Sequence, residues 1–185
     1  PPPPPPPTPT LISSDPPAGA VMAQDGNGPG FKTVDLAFSS ELGSDWDNFS
    51  NYDVLSTQAT ALGLAGVTGS PSNPALSLSR NLLPGERITL THRPSGASVC
   101  LGFLPGDVDQ NGFAVSSDIS RLNAWVGTAE GAAQPLWKTD INRDGVFDAK
   151  DVIKAGELMS SADRIFRLPA CPSTTTATIT ASVNT

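Results

Sequence analysis

The sequence predicts a mainly β fold with a small α module: an antiparallel β-sandwich followed by a pair of calcium loop-helix units. Short alternating apolar stretches, separated by Gly- and Pro-rich turns, occupy the N-terminal half. Two acidic loops with the same spacing follow, and a helix-like run comes after each. A chain of 185 residues is long enough for one sandwich and one such module.

The opening stretch, PPPPPPPTPT at residues 1–10, is expected to form an extended spacer. Proline fixes φ and lacks a backbone N–H, so the stretch is predicted to adopt polyproline II at about 3.1 Å per residue. A solvated linker is the simpler interpretation. The alternative is that this rod docks in a groove of a neighbouring subunit.

Residues 11–104 are predicted to form the sandwich, because short apolar alternations are punctuated by turn signals such as GSPSNP and LPGE. The alternating apolar positions are Val34, Leu36 and Phe38, then Leu76 and Leu78, then Ile88 and Leu90, then Val99 and Leu101. The stretches LISSDPPAGAV and VDLAFSSEL resemble bacterial Ig-like domains of surface-layer and adhesive proteins. This resemblance implies an Ig-like fold over about 90 residues.

The sequence offers little for catalysis, and we predict that the protein is not an enzyme. The single histidine, His92, ends a predicted strand and is expected at the surface or at a sheet edge, with no hydrolase motif around it. The acidic cluster of Asp45, Asp47 and Asp53 could hold a sugar or a third cation. A solvated loop anchored by its aromatic residues is the preferred interpretation.

The first acidic loop, GDVDQNGFAVSSD, has the spacing of a calcium site. Calcium takes six to eight oxygen ligands, which a short loop supplies from alternate side chains, one backbone carbonyl and a closing carboxylate. Gly112 stands at position 6, where the loop must turn with a positive φ. The predicted ligands at positions 1, 3, 5, 7 and 12 are Asp107, Asp109, Asn111, the Phe113 carbonyl and Asp118.

The second loop, TDINRDGVFDAKD, repeats the pattern and adds a carboxylate at position 9, where loop one has Val115. Its predicted ligands are Asp140, Asn142, Asp144, the Val146 carbonyl, Asp148 and Asp151. Asx-rich turns without metal are the alternative for both loops. Because it has more carboxylates, loop two is expected to bind calcium more tightly.

A helix is predicted after each loop but not before it, because Pro105 and Pro135 precede the loops. The apolar stripes of the two exit helices are predicted at Ile119, Leu122, Trp125 and Val126, and at Val152, Ile153, Gly156 and Met159. Two loop-plus-exit-helix units that close with Asp resemble the type I dockerin family over residues 106–167. The resemblance implies two calcium ions in a metal-dependent module, which we assign to residues 105–168.

The resemblance also implies a partner, because dockerins bind cohesin domains through positions 10 and 11 of each loop. These positions hold Ser116 and Ser117 in loop one, but Ala149 and Lys150 in loop two. A symmetric contact in two orientations is therefore not expected. The two helices could instead pack against the rest of the chain.

Dockerin-like modules bring their two ends together, and the two cysteines flank this one. The resemblance therefore implies a Cys100–Cys171 disulfide and an oxidising, extracellular location. Two free buried thiols are the alternative.

The C-terminal tail, residues 169–185, contains a strictly alternating stretch with Ala177, Ile179, Ala181 and Val183 on one face. Such a strand could fold back onto its own sheet, add to a sheet edge of a neighbouring copy, or remain a disordered Thr-rich tail. Addition in trans would build an open filament.

The composition argues against two classes of binding partner, nucleic acids and membranes. The net charge is −7, and 11 Lys and Arg form no basic run, so no nucleic-acid binding is expected. No apolar stretch approaches the roughly 20 residues of a membrane helix. Two functions are predicted: a self-assembling, calcium-stabilised extracellular structural or adhesive protein, or the cohesin-binding end of a larger secreted enzyme.

Overall fold

The protein folds as two β-sheets followed by short helices, in a computed structural model that describes residues 2, 5, 7–25, 31–162 and 165–173. The predicted mainly β fold with a small helical part is confirmed. The strands are β1 (Leu11–Asp15), β2 (Val21–Met22), β3 (Thr33–Phe38), β4 (Tyr52–Ser56), β5 (Leu64–Ser70), β6 (Asn73–Leu78), β7 (Glu86–His92) and β8 (Ala97–Phe103). The helices are α1 (Ser116–Trp125), α2 (Ala129–Ala132), α3 (Leu136–Thr139) and α4 (Ala149–Ser160).

The strands form two four-stranded sheets, with the orders β1-β3-β6-β5 and β2-β8-β7-β4. The first sheet is antiparallel throughout. In the second sheet, β2 pairs in parallel with β8, where Val21 lies opposite Gly102. The predicted antiparallel pairing holds for β8, β7 and β4, and it fails only for β2, a two-residue strand that reaches β8 by a crossover rather than by a hairpin.

The core between the sheets includes the alternating residues that the sequence singled out. All nine predicted positions are buried, from Val34 on β3 to Leu101 on β8. The alternation puts every second side chain on the inner face of its sheet. Leu76, Leu78 and Ile88 are completely buried.

His92 corrects the sequence analysis, because it is only 5% exposed. It occupies an inward position of β7, whose side chains alternate between buried and half-buried along the whole strand. Its ring packs against Phe38 and Tyr52, at centroid distances of 5.5 and 5.1 Å. Its Nδ1 lies 2.8 Å from the Ser95 hydroxyl. Burial lowers the pKa of His92, although the nearby Asp45 raises it.

A buried ion pair fixes the start of β7. Glu86 has no exposed surface, and Arg80 donates to both of its carboxylate oxygens at 2.8 Å. The Leu83 amide and the Ser56 hydroxyl donate to the same carboxylate. Burial alone would raise the pKa of Glu86, but these hydrogen bonds, led by that of Arg80, hold it below its usual value.

Residues 20–25 join the sandwich to the helical part of the chain. The backbone hydrogen bonds of this segment to the rest of the chain include Leu104 N to Met22 O at 3.0 Å, Gly106 N to Ala23 O at 2.7 Å, Ala23 N to Trp137 O at 3.2 Å and Asp25 N to Ile141 O at 2.8 Å. The segment therefore lies between the residues that precede loop one and those that precede loop two. Its Ala23 is completely buried in a second core together with Leu122, Trp125 and Ala155.

The helices differ from their predictions in two respects. Pro135 precedes the one-turn helix α3 instead of preventing a helix before loop two, because proline is tolerated at a helix N-terminus. Ile153 is 64% exposed, because the buried face of α4 runs through Asp151, Ala155 and Met159. No helix among the described residues is long and apolar enough to cross a membrane.

The stability of the fold should decrease in mild acid because of His92. Since its folded pKa lies below the unfolded value of about 6.5, the unfolded chain binds more protons below that pH. The contribution of neutral His92 is present above about pH 6.5 and is lost as the pH falls, until the folded histidine is protonated too. His92→Gln should reduce the fall in melting temperature between pH 7.5 and pH 5.5, measured by circular dichroism without added calcium. An unchanged pH dependence in the variant would contradict this assignment.

Candidate metal centre

Loop one brings three predicted ligands together. Oxygen atoms of Asp107, Asp109 and Asp118 lie within 4.8 Å of one another, and no other such acidic, histidine or cysteine group is found in the described part of the chain. Asp107 and Asp118 are completely buried, and Asp109 is half-buried. Three carboxylates at this separation could hold a metal ion.

The two loops share an unusual backbone. Gly112 and Gly145, at position 6, have φ values of 85° and 87°. The sequence predicted this turn because only glycine adopts such values without strain. Gln110 and Arg143 at position 4 also have positive φ, at 65° and 64°, which the sequence did not indicate. The same two left-handed positions in both loops show that the acidic repeats also repeat in conformation.

The side-chain hydrogen bonds of the loops match position by position. In each loop, the aspartate at position 12 accepts hydrogen bonds from the backbone amides of positions 3 and 9. The aspartate at position 1 accepts a hydrogen bond from the amide of the glycine at position 6. In loop one these bonds are Asp109 N to Asp118 Oδ1 at 3.0 Å, Val115 N to Asp118 Oδ2 at 2.9 Å and Gly112 N to Asp107 Oδ2 at 2.9 Å. In loop two they are Asn142 N to Asp151 Oδ1 at 3.1 Å, Asp148 N to Asp151 Oδ2 at 2.8 Å and Gly145 N to Asp140 Oδ2 at 3.0 Å.

One carboxylate oxygen in loop one has no hydrogen-bond partner. Asp107 Oδ1 is buried and unsatisfied, although burying an unpaired carboxylate oxygen is costly. Burial, with the nearby carboxylates of Asp118 and Asp109, raises the pKa of Asp107 to about 7. A hard cation would supply both the missing partner and the missing positive charge. The residues of loop one therefore fit a calcium ion.

Loop two differs from loop one in its charges. Asp140 Oδ1, the counterpart of the unpaired oxygen, accepts from the Asp144 amide at 3.1 Å. The Lys150 ammonium lies 3.2 Å from Asp144 Oδ2 and 3.4 Å from Asp148 Oδ2. Its hydrogen bond lowers the pKa of Asp144. The lysine thus occupies part of the space between two predicted ligands and offsets the additional carboxylate of this loop.

A C-terminal segment, residues 166–172, which we call the clasp, closes over loop one. Phe113 forms an isolated antiparallel bridge with Arg167. The Ala114 amide donates to Phe166 O at 3.0 Å, and the Leu168 amide donates to Gly112 O at 2.8 Å. The predicted Cys100–Cys171 disulfide is present and attaches the clasp to β8, with 6.0 Å between the two Cα atoms.

The predicted partner-binding residues have different outcomes. Ser116, Ser117, Ala149 and Lys150 are all exposed in the first turns of α1 and α4. The tail residues Ala177, Ile179, Ala181 and Val183 lie outside the described residues, as does part of the polyproline stretch. A partner for either surface stays a prediction.

The acidic cluster around Trp46 does not converge. Asp53 pairs with Arg93 instead of with the other acids, through Arg93 Nε at 2.6 Å and through the guanidinium Nη2. Trp46 packs against the sandwich core, and the Tyr52 hydroxyl donates to its carbonyl at 2.7 Å. Trp46 therefore anchors the loop as predicted, but Phe49, the other aromatic residue expected to do so, is 48% exposed.

Comparisons with known proteins do not assign the chain to a family. No protein-family model matches the sequence, and no curated protein is significantly similar to it. Among solved structures, similarity extends to the S-layer protein rSbsC(31-844), with a TM-score of 0.38 and 12% identity over 52% of this chain and 14% of that protein. An L,D-transpeptidase from Mycobacterium smegmatis has a TM-score of 0.36 and 14% identity, over 52% of this chain and 40% of the transpeptidase.

A third similar structure is CopC from Methylosinus trichosporium OB3b, with a TM-score of 0.33 and 16% identity over 54% of this chain and 96% of CopC. Likenesses at these TM-scores establish neither a common family nor a common function. The chain spans only a small part of the S-layer protein. The functional argument therefore depends on the loops themselves.

Replacing Lys150 by Met should strengthen calcium binding at loop two. The change removes a competing positive charge from Asp144 and Asp148, but the lysine is 67% exposed, so we expect only about a twofold to fivefold gain in affinity. Calorimetric calcium titration measures the change. Lys32→Met, an equal change of charge at an exposed position of the sandwich, is the control and should leave the affinity unchanged. Equal curves for the two variants would show that Lys150 does not compete with calcium.

Proposed function

We propose that this protein is a non-catalytic, calcium-stabilised structural or adhesive protein of the extracellular space, an Ig-like sandwich at residues 11–104 joined to a dockerin-like module at residues 105–168. The observation that carries the proposal is the buried, unpaired Asp107 Oδ1 within a cluster of three aspartates. An unpaired carboxylate oxygen at the first position of a calcium-loop sequence calls for a cation. The matched conformation of loop two supports a second ion.

Each proposed ion would be held by the ligands that the loop spacing selects. Loop one would use Asp107, Asp109, Asn111, the Phe113 carbonyl and Asp118, and loop two would use Asp140, Asn142, Asp144, the Val146 carbonyl, Asp148 and Asp151. When bound, calcium supplies positive charge and crosslinks each loop. Asp118 and Asp151 lie in the first turns of α1 and α4, so each ion would also fix the start of an exit helix.

The disulfide supports the proposed location. Structural disulfides form and persist in oxidising compartments, and free calcium is also abundant outside cells. The two cysteines are 71 residues apart in sequence, and both proposed calcium loops lie between them. A clasp of this kind suits a protein that must remain folded without the protection of the cell interior.

Self-assembly through the C-terminal tail is the proposed structural role. The described chain reaches Pro172, whose carbonyl accepts from the Thr89 hydroxyl on β7 at 2.6 Å. In the second sheet β7 lies between β8 and β4, and β4 is the edge strand. The tail therefore starts one strand away from a sheet edge, and an alternating strand could add to such an edge in this molecule or in the next one.

The second candidate function is binding of a cohesin-type domain, with this chain as the anchor of a larger secreted enzyme. One observation favours it: Ile153, on the outer face of α4, is 64% exposed although it is a large apolar residue. Ser116, Ser117, Ala149 and Lys150 are also exposed, at the starts of α1 and α4. Capture of a cohesin as a one-to-one complex would support this function, and visible polymer would favour self-assembly.

Calcium should raise the melting temperature substantially. At a free concentration 100 times the dissociation constant, one site adds about 2.7 kcal/mol to the free energy of unfolding, which corresponds to roughly 5–10 °C in a domain of this size. Asp107→Asn should remove most of the gain that comes from loop one. The matched control is Asp35→Asn, the same charge change at an exposed position of β3. If calorimetry shows no calcium-dependent gain for the wild type, the proposed calcium role is wrong.

Removing residues 174–185, which contain the alternating part of the tail, should separate folding from assembly. A chain that ends after Ser173 keeps the disulfide, the clasp and both loops, so it should bind calcium and melt as the full chain does. Electron microscopy and sedimentation should show polymer for the full chain and monomer for the shortened one. Polymer from both chains, or from neither, would exclude strand addition by the tail.

A further inference from the structure

We propose that the clasp positions a ligand of the loop one calcium site, so that the Cys100–Cys171 disulfide sets the calcium affinity of loop one but not that of loop two. This inference rests on the proposed calcium role. Its structural basis is the backbone bridge between the position 7 residue of loop one, Phe113, and Arg167 of the clasp.

The pattern of hydrogen bonds around Phe113 decides where its carbonyl points. In an antiparallel bridge, residues alternate between those that exchange hydrogen bonds with the partner and those that do not. The clasp bonds to Gly112 O and to Ala114 N, the groups on either side of Phe113. Phe113 is thus in the non-hydrogen-bonded pair, with its own N–H and C=O directed away from the clasp. Its amide indeed donates within the loop, to Asn111 Oδ1 at 2.8 Å.

This geometry gives the clasp a positioning role. The carbonyl of Phe113 is the predicted backbone ligand of loop one, and the two flanking bonds fix the peptide planes on either side of it. The Arg167 guanidinium also lies over the Phe113 ring, 5.5 Å from its centroid. The clasp therefore orients a ligand that belongs to another part of the chain.

The clasp in turn depends on its attachment to the sandwich. Leu168 is only 5% exposed and packs in a small core with Val21, Leu104, Ala114 and Met159. Phe166 and Arg167 are exposed. The disulfide at Cys171 and the hydrogen bond at Pro172 fix its far end on β8 and β7. Breaking the disulfide would remove the covalent link between the clasp and β8 and leave noncovalent contacts, among them the packing of Leu168 and the hydrogen bond at Pro172, to hold the clasp.

Loop two has no counterpart of this support in the described residues. The Phe113–Arg167 pair is the only isolated bridge found there, and Val146, at position 7 of loop two, is 57% exposed. Pairing of the clasp with loop one gives that loop a backbone support that position 7 of loop two lacks in the described residues. Reduction should therefore weaken one site selectively, and by reciprocity calcium at that site should protect the disulfide.

The test measures calcium affinity site by site. The amides of Gly112 and Gly145 donate to the position 1 aspartates, so their NMR signals report separately on the two loops. In the Cys100→Ser, Cys171→Ser double variant, we expect calcium affinity at Gly112 to fall about tenfold, a typical coupling between linked sites, and affinity at Gly145 to change less than twofold. Val67→Ala, which removes partly buried packing on β5, is the control for general destabilisation and should leave both affinities unchanged.

The reciprocal measurement uses the unaltered chain, so it decides the matter even if the double variant does not fold. Dithiothreitol reduces the protein disulfide to two thiols and is itself oxidised to a cyclic disulfide. At equilibrium with dithiothreitol, calcium should shift the wild-type protein toward the oxidised form by about the same tenfold factor in the equilibrium constant, and by less in Asp107→Asn. Equal loss of affinity at both loops, no loss at either, or a thiol–disulfide equilibrium that calcium does not shift would overturn the inference and leave the proposed calcium role intact. If the oxidised wild type binds no calcium, the proposed function and this inference fail together.

Discussion

Buried carboxylates are the constraint on which the C-terminal half of this protein depends. Asp107, Asp118 and Asp151 have no exposed surface, and burial raises the pKa of each. Asp118 and Asp151 accept two or more backbone hydrogen bonds, so they organise their loops and also begin the exit helices. Asp107 adds an oxygen without a partner. Such a concentration of buried negative charge is costly unless a cation enters with it or the carboxyl groups take up protons.

The positive charge differs between the two loops, and this difference organises the functional argument. Loop two has a positive charge of its own, because the Lys150 ammonium contacts Asp144 and Asp148. Loop one has no such lysine bonded to its aspartates among the described residues, but the clasp supports its backbone. The repeats therefore share most of their acidic positions and their loop conformation, while differing at position 9 and in what surrounds them.

The sequence predicted those features that depend on local chemistry. The turn of each acidic loop was readable because each position of a calcium-type loop has its own requirement, and Gly112 and Gly145 have the expected positive φ. The core strands were readable from their alternation. His92 and Ile153 were misplaced because which face of a strand or helix lies inward is decided by tertiary packing. Residues 20–25, too short to carry a periodicity, gave no sign that they would join β8 to the segment before loop two.

The position of the disulfide has a mechanical consequence. Tension applied between the two ends of the chain passes directly from Cys100 to Cys171 through the covalent sulfur bridge. The intervening residues, including both acidic loops and their helices, form a closed loop that lies outside this covalent path. The strands of the sandwich lie on the path. Under strain, the sandwich would therefore extend before the disulfide-closed loop could be pulled out in length.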